Sequence, residues 1–230
     1  MPGIRRTTSW WNSPQGVVGL FPAWYAPPQP DWPQGVELTD FPLWDESEVT
    51  SLSPELEDFL DAGDPPIAFT PGSAMQHGTA FFRESAAACQ QLGRRGILLT
   101  RFRDQVPGDL PSGVRHFDYA PFSLLLPRAA ALVHHGGIGT MSQALAAGIP
   151  QLIMPMAHDQ PDNADRVRRL GCGDWIKPRS YRGPAVAARL QRLLDSPQVG
   201  AACEQVAARL AKRDGLQRAA VELERLGSRL

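Results

Sequence analysis

The chain has 230 residues, 43% of them apolar, which is enough for one good core or two small ones. A formal net charge of −1 excludes a general electrostatic attraction to nucleic acid or to an anionic membrane. Three scattered cysteines (Cys89, Cys172, Cys203) without a C-x-x-C argue for a reducing compartment and against a zinc ribbon. With no apolar run near ~20 residues and no signal-peptide pattern at the N-terminus, the expected location is cytoplasmic.

Residues 1–45 differ in texture from the rest. They hold Trp10, Trp11, Trp24, Trp32 and Trp44 and a dense set of prolines, as in AWYAPPQPDWPQG. Polar disorder rarely carries so many aromatics, so this segment is expected to pack on something. Val17 to Phe21 reads as a strand.

From Ser53 onward helices and strands alternate. Ser53-Pro54 is an N-cap and first-turn pair, with Leu56, Phe59 and Leu60 on one face and Gly63 beyond the end. Ile67 to Thr70 is a strand followed by Pro71-Gly72-Ser73. A helix from about Thr79 to Leu92 stops at Gly93; strands follow at Gly96 to Phe102 and Val114 to Phe117. Pro121 to Leu126 is a helical turn. Pro161 to Leu170 is a helix, Trp175-Ile176 a last short strand, and helices cover Val186 to Leu194, 199–213 and 216–226. This alternation implies an α/β fold with a doubly wound, mostly parallel sheet. Ligands in such folds sit beyond the carboxyl ends of the strands, so the loops Pro71–Gln76, Phe117–Phe122, His135–Thr140 and Met156–Gln160 can converge on one cleft.

The central stretch is AAALVHHGGIGTMSQALAAGIPQLIMPMAHDQ, Ala129 to Gln160. A short apolar strand ends at His134-His135, and a glycine-rich turn leads into an Ala- and Leu-rich helix. Thr140 and Gln143 have capping-box spacing, which predicts a helix start there. Gly148 and Pro150 end the helix, and Gln151 to Pro155 returns as a strand. Gly136, Gly137 and Gly139 let backbone approach a ligand, and unpaired amides at the helix start favour an anion. His135 can donate to a diphosphate oxygen, whereas His134 must point the opposite way along the strand.

Three segments, YAPFSLLLPR, HHGGIGTMSQALAAGIPQLIMP and AHDQPDNADRVRRLGCG, together resemble the donor-sugar signature of GT-B glycosyltransferases of the UDP-glycosyltransferase superfamily, in particular bacterial rhamnosyl- and glucosyltransferases. The resemblance implies a Rossmann-like nucleotide-sugar-binding domain, the C-terminal half of a GT-B fold, over residues 46–230. It makes residues 1–45 the remnant of an acceptor domain plus the interdomain linker. Val17 to Phe21 would then be a strand that has lost its sheet.

By the same resemblance, His135 contacts the donor diphosphate and stabilises the leaving group, and Gly137, Gly139 and Thr140 offer it backbone and hydroxyl donors. Tyr119 stands where the family has a base-stacking tryptophan, and Ala120 pairs with the base edge through its backbone. Gln143 replaces a ribose-binding glutamate. Asp159 and Gln160 hold the sugar hydroxyls, although Asp159 or Asp162 could instead cap the next helix. Gly72 and Ser73 align with a phosphate-side loop.

The implied reaction is transfer of a hexosyl group from a UDP- or dTDP-sugar to a hydroxyl of a lipid or small molecule, with inversion. No metal or other cofactor is implied. His134 and His135 cannot face one ion, and His158 beside Asp159 has no further ligand at metal spacing. No segment matches the family's acceptor pocket or general base, and His77 and His116 fall in donor-side loops. No residue of the chain is therefore expected to be the catalytic base, and the isolated chain is expected to be inactive. It would need a separate acceptor-domain chain, or self-associate through residues 1–45, and could sit peripherally on the inner face of a membrane. Two alternatives stand beside this: a non-catalytic nucleotide-sugar-binding subunit, and an NAD-binding Rossmann oxidoreductase with Asp159 as its ribose acid. Ser142 in place of the third glycine opposes the last.

Overall fold

The computed structural model describes residues 13, 15–73, 78–211 and 214–228. Trp10, Trp11, Gln76 and His77 lie outside the described residues. The strands are β1 (Val17–Gly19), β2 (Val36–Leu38), β3 (Ile67–Thr70), β4 (Gly96–Leu99), β5 (Val114–Phe117), β6 (Ala131–His134), β7 (Gln151–Ile153) and β8 (Gly173–Trp175). The helices are α1 (Pro54–Asp61), α2 (Thr79–Leu92), α3 (Phe122–Leu125), α4 (Ile138–Ala147), α5 (Gln160–Arg169), α6 (Gly183–Leu194), α7 (Pro197–Leu210) and α8 (Gly215–Gly227). None of the described helices is long and apolar enough to cross a membrane. The chain divides into two compact units, 1–44 with 212–230, and 45–211.

In the first unit, Val17 does not begin an orphaned strand. β1 pairs in parallel with β2, Val17 opposite Val36. The aromatics do pack: Tyr25 and Phe41 are buried 5.1 Å apart edge to face, with Trp24 6.3 Å from Phe41. Arg218 on α8 donates to the carbonyls of Leu38 and Thr39 and to the buried carboxylate of Asp40. Gly215 opens that helix against the Phe41 carbonyl, where a Cβ would stand 2.2 Å from the oxygen.

The second unit is a six-stranded, wholly parallel sheet in the order β5-β4-β3-β6-β7-β8. Side-chain alternation sends Phe69, Leu98 and Val133 to one face, where they pack with Phe82 and Cys89 of α2 and Val186 and Leu190 of α6. Ala68, Ile97 and Leu132 go to the other face, with Leu56, Phe59 and Leu60 of α1 and Ala144 of α4. Both faces are covered, so the strands read as near-continuous apolar runs. Each large side chain buried in this way contributes roughly 1.5–3 kcal/mol. The α/β doubly wound, Rossmann-like reading is correct.

The order of construction fixes the site. The chain builds outward from β3 through β4 to β5, then returns to the other side of β3 with β6 and continues to β8. The direction reverses between β3 and β6, and the loops leaving that pair diverge to open a crevice. Thr70 and His134, the last residues of the two strands, are register partners at its floor.

Candidate functional site

Two hollows occupy this crevice. The larger, 460 Å³, is walled by the strand-end loops at Thr70–Ser73, Leu99–Phe102 and Asp118–Ala120, with Asp45, Phe122 and Thr140. The smaller, 370 Å³, is walled by Pro71–Ser73, His135, Gly137–Thr140, Met156 and Gln160. They share Gly72, Ser73 and Thr140, so they form one trough running across the end of β3.

The floor of the smaller hollow follows from its glycines. Gly136 has φ 96°, and a Cβ there would lie 2.8 Å from Ile153 Cγ2. Only glycine tolerates both conditions. Gly137 is the N-cap of α4, and no side chain caps that helix. The helix therefore starts at Ile138, two residues before the start predicted from Thr140 and Gln143. The correction has a physical reason: with glycine at the cap, no capping side chain competes for the amides of Ile138, Gly139 and Thr140, which face out of the helix end. Gly139 and Ile138 are exposed there and Thr140 is half-buried.

The two histidines divide as the strand geometry requires. His134 is fully buried. Its Nδ1 accepts from the Gly136 amide at 3.1 Å, so the proton is on Nε2, which donates to Gln151 Oε1 at 2.9 Å. Burial, and then repulsion by His135, push its pKa down to about 3, against the opposing pull of the Gln151 bond. It is a neutral structural post beneath the glycine turn. His135 points into the smaller hollow, its ring between Gly72 and Gly137. A Cβ on Gly72, at φ 99°, would stand 2.8 Å from Cε1, and one on Gly137 would stand 2.5 Å from Nε2. Its Nδ1 is buried without a hydrogen-bond partner among the described residues. Burial lowers its pKa, while the Asp159 carboxylate pulls the other way. A neutral imidazole carries one N–H that can donate to an incoming anion at the hollow.

At the larger hollow, β3 and β4 end alike. The Gly72 amide donates to Thr70 Oγ1 at 3.4 Å and the Phe102 amide to Thr100 Oγ1 at 3.1 Å, bending both loops away from the sheet. Tyr119 is 38% exposed at the rim, with Glu46 beside its hydroxyl. Ala120 is buried in the wall. The Arg101 guanidinium lies 5.3 Å from the Tyr119 ring centre. His116 is not part of this surface; Nε2 donates to the Thr100 carbonyl at 2.8 Å and Nδ1 accepts from Arg103 at 2.7 Å. Asp45 joins the wall by accepting from the Ser123 amide and hydroxyl at 2.7 and 3.0 Å. Burial works against its ionisation, yet the bonds from Ser123 and Ser47 hold its carboxyl below the usual range.

The far wall of the smaller hollow is the loop from β7 to α5. Gln160 Oε1 accepts from the Met156 and Ala157 amides at 2.8 and 3.1 Å, closing the loop on itself. Asp159 occupies the N-cap position of α5, but its side chain does not cap. Its Oδ2 instead accepts from Asn163 Nδ2 at 2.7 Å. His158 is exposed with a left-handed φ of 57°. Among the described residues no group of three His, Cys, Asp or Glu is placed to hold a metal ion.

The crevice thus gathers Gly72, Ser73, Tyr119, Ala120, His135, Gly137, Gly139, Thr140 and Gln160 onto its walls. Asp159 stands exposed beside Gln160, and Gln143, half-buried one turn along α4, lines neither hollow. The sequence reading includes Asp118 in the Phe117–Phe122 loop but not Thr100, Arg101 and Asp45 in the wall, nor Asn163 behind it. The strand-end rule would have flagged Thr100 and Arg101 had β4 been ended at Leu99.

Known proteins match this chain in sequence and fold. The family described as "Erythromycin biosynthesis protein CIII-like, C-terminal domain" matches residues 97–226. The chain belongs to this family. Among relatives of the CIII-like domain, the chain is 35% identical over 200 residues to the O-mycaminosyltylonolide 6-deoxyallosyltransferase of Streptomyces fradiae, covering 86% of this chain and 46% of that protein. In fold it is similar to the crystal structure of the glycotransferase of kitacinnamycin, with TM-score 0.77 and 24% identity over 93% of this chain and 55% of that one. The crystal structure of glycosyltransferase VinC in complex with dTDP is also similar, with TM-score 0.70 and 27% identity over 91% of this chain and 51% of that one. The chain spans about half the length of the relatives it matches. Those relatives are glycosyltransferases, and the resemblance to the C-terminal half of a GT-B enzyme is correct.

Proposed function

We propose that this CIII-like domain is the nucleotide-sugar-binding half of a hexosyltransferase. The observation that carries the reading is the single trough formed by the two hollows at the strand switch point, with His135 and the uncapped α4 amides at its middle. The nucleoside occupies the larger hollow, its base against Tyr119 and the Ala120 backbone. The diphosphate crosses at Gly72, Ser73 and Gly137–Thr140. The sugar points along Gln160 to Asp159, a carboxylate and an amide that suit a diol. The complex of VinC with dTDP, and the deoxyallosyl group in the name of the S. fradiae relative, favour a dTDP-deoxyhexose over a UDP-sugar.

In the reaction an acceptor hydroxyl oxygen of a small molecule or lipid attacks the anomeric carbon. The bond from that carbon to the diphosphate oxygen breaks with inversion, and its electron pair stays on the diphosphate. The α4 amides, the helix dipole and His135 meet the growing charge where it develops. The acceptor proton goes to a base outside this surface, carried by an acceptor domain of a longer protein or of another chain. No metal is needed, because backbone amides and an imidazole replace it.

Titration calorimetry of residues 1–230 with UDP, dTDP and their glucose and rhamnose conjugates tests the reading. Binding of a diphosphate that His135→Ala removes, with Asp159→Ala weakening only the sugar conjugates, supports it. NAD binding without diphosphate binding sinks it.

A further inference from the structure

One buried side chain joins the two ends of the smaller hollow. Asn163, on the first turn of α5, is 3% exposed. Its Nδ2 donates to the Gly136 carbonyl at 2.8 Å and to Asp159 Oδ2 at 2.7 Å. Both acceptors are oxygens, a carbonyl and a carboxylate, so only the NH₂ end of the amide can face them and its orientation is fixed. The first bond holds the Gly136 carbonyl inward at the φ 96° turn, which leaves the following amides directed at the hollow. The second engages one oxygen of Asp159 and sets the direction of the carboxylate. Gly136 also packs directly on this loop, its Cβ position lying 3.2 Å from the Gln160 carbonyl. The two segments are thus held together by hydrogen bonds through Asn163 and by direct packing.

We propose that Asn163 is a positioning residue that couples the anion-binding turn to the Asp159 carboxylate. A ligand group on Asp159 is thereby felt at the turn, and an anion at the turn is felt at Asp159. This rests on the donor-site reading above. Asparagine in this place is otherwise hard to account for: it is a weak helix former, yet it is buried on the same helix face as Ala164 and Val167. An aspartate would face the Asp159 carboxylate and the Gly136 carbonyl with no hydrogen to offer at neutral pH. A leucine would take the donor away from both oxygens.

The experiment is a double-mutant cycle on residues 1–230, read by calorimetry with thymidine, dTDP and dTDP-glucose. Asn163→Ser keeps a hydroxyl donor and guards against a misfolded Asn163→Ala. The expected result is thymidine binding unchanged, since it lies in the larger hollow and carries no phosphate to reach the turn. For Asn163→Ala, dTDP binding should fall about 10- to 100-fold, the range for a lost bond to a charged group, with Asn163→Ser between. Asp159→Ala should weaken dTDP-glucose in the unaltered chain, yet cost little more in the Asn163→Ala background. Additive losses, or dTDP binding unmoved by either Asn163 variant, overturn the coupling and leave the donor site standing. Failure of dTDP to bind the unaltered chain overturns both.

Discussion

The imidazole of His135 fills the space that a Cβ on Gly137 would take, with 2.5 Å between that position and Nε2. The ring is wedged between two glycines, Gly72 and Gly137, one from each loop of the crevice. Gly137→Ala is therefore expected to displace His135 rather than unfold the domain, because Gly137 has φ −62°, which alanine adopts freely. Diphosphate binding should fall about 10- to 100-fold in that variant, and its urea midpoint should stay close to that of the unaltered chain. Calorimetry and urea denaturation on the same preparation read the two quantities separately. An unfolded variant would show that the wedge supports the fold as well.

His135 also predicts how binding depends on pH. Burial lowers its pKa in the free site, and a bound diphosphate raises it, so binding takes up a proton on the acid side of neutrality. Protonation of the diphosphate itself opposes this, since its own pKa lies near ~6. The difference between the unaltered chain and His135→Asn isolates the imidazole. Relative to the variant, the unaltered chain should gain affinity for dTDP as pH falls from 7.5 to about 6. Calorimetry in buffers of different ionisation enthalpy should show the proton entering. Identical pH profiles for both proteins would remove His135 from contact with the diphosphate.

His134 works on stability, with a definite sign. Its pKa is about 3 when folded, against 6.5 for an ordinary imidazole. Between those values the unfolded chain holds a proton that the folded chain does not, so stability falls as pH falls through that window. The slope from this one group reaches about 1.4 kcal/mol per pH unit. His134→Asn keeps an acceptor for the Gly136 amide but leaves Gln151 without its donor. It should cost about 1–3 kcal/mol at pH 7 and show a shallower decline from pH 6 to pH 4. Urea midpoints at each pH test both parts.

Donor binding should survive removal of divalent metal. On the proposed reading the α4 amides and His135 meet the charge on the ligand, and excess chelator should leave the Kd for dTDP unchanged. A loss of affinity on chelation that magnesium restores would place a cation in the trough.

Much of this architecture is legible in the chain itself because the signals are local. Ser53 caps α1 through its hydroxyl to the Leu56 amide, Gly93 and Gly148 end α2 and α4 in the left-handed region, and apolar runs mark β3, β4 and β6. The order of the strands is not local, and neither is the pairing of Val17 with Val36 across a proline-rich excursion. The start of α4 at Ile138 is not legible, because the capping-box pattern at Thr140 and Gln143 is a stronger local signal than a bare glycine that offers no cap. Asn163 is silent because, in QPDNADRVRR, an asparagine among charges reads as solvated surface. Its role depends on Gly136, distant in sequence and set beside it only by β7 and its return.

The shared wall of Gly72, Ser73 and Thr140 has a use for chemists. Two weak fragments, an aromatic one in the larger hollow and an anionic one in the smaller, would lie end to end across only three residues. A short tether between them makes the second contact intramolecular, at an effective concentration in the millimolar range. Two fragments of about 30 μM affinity would then combine into an inhibitor of about 1 μM that needs no diphosphate.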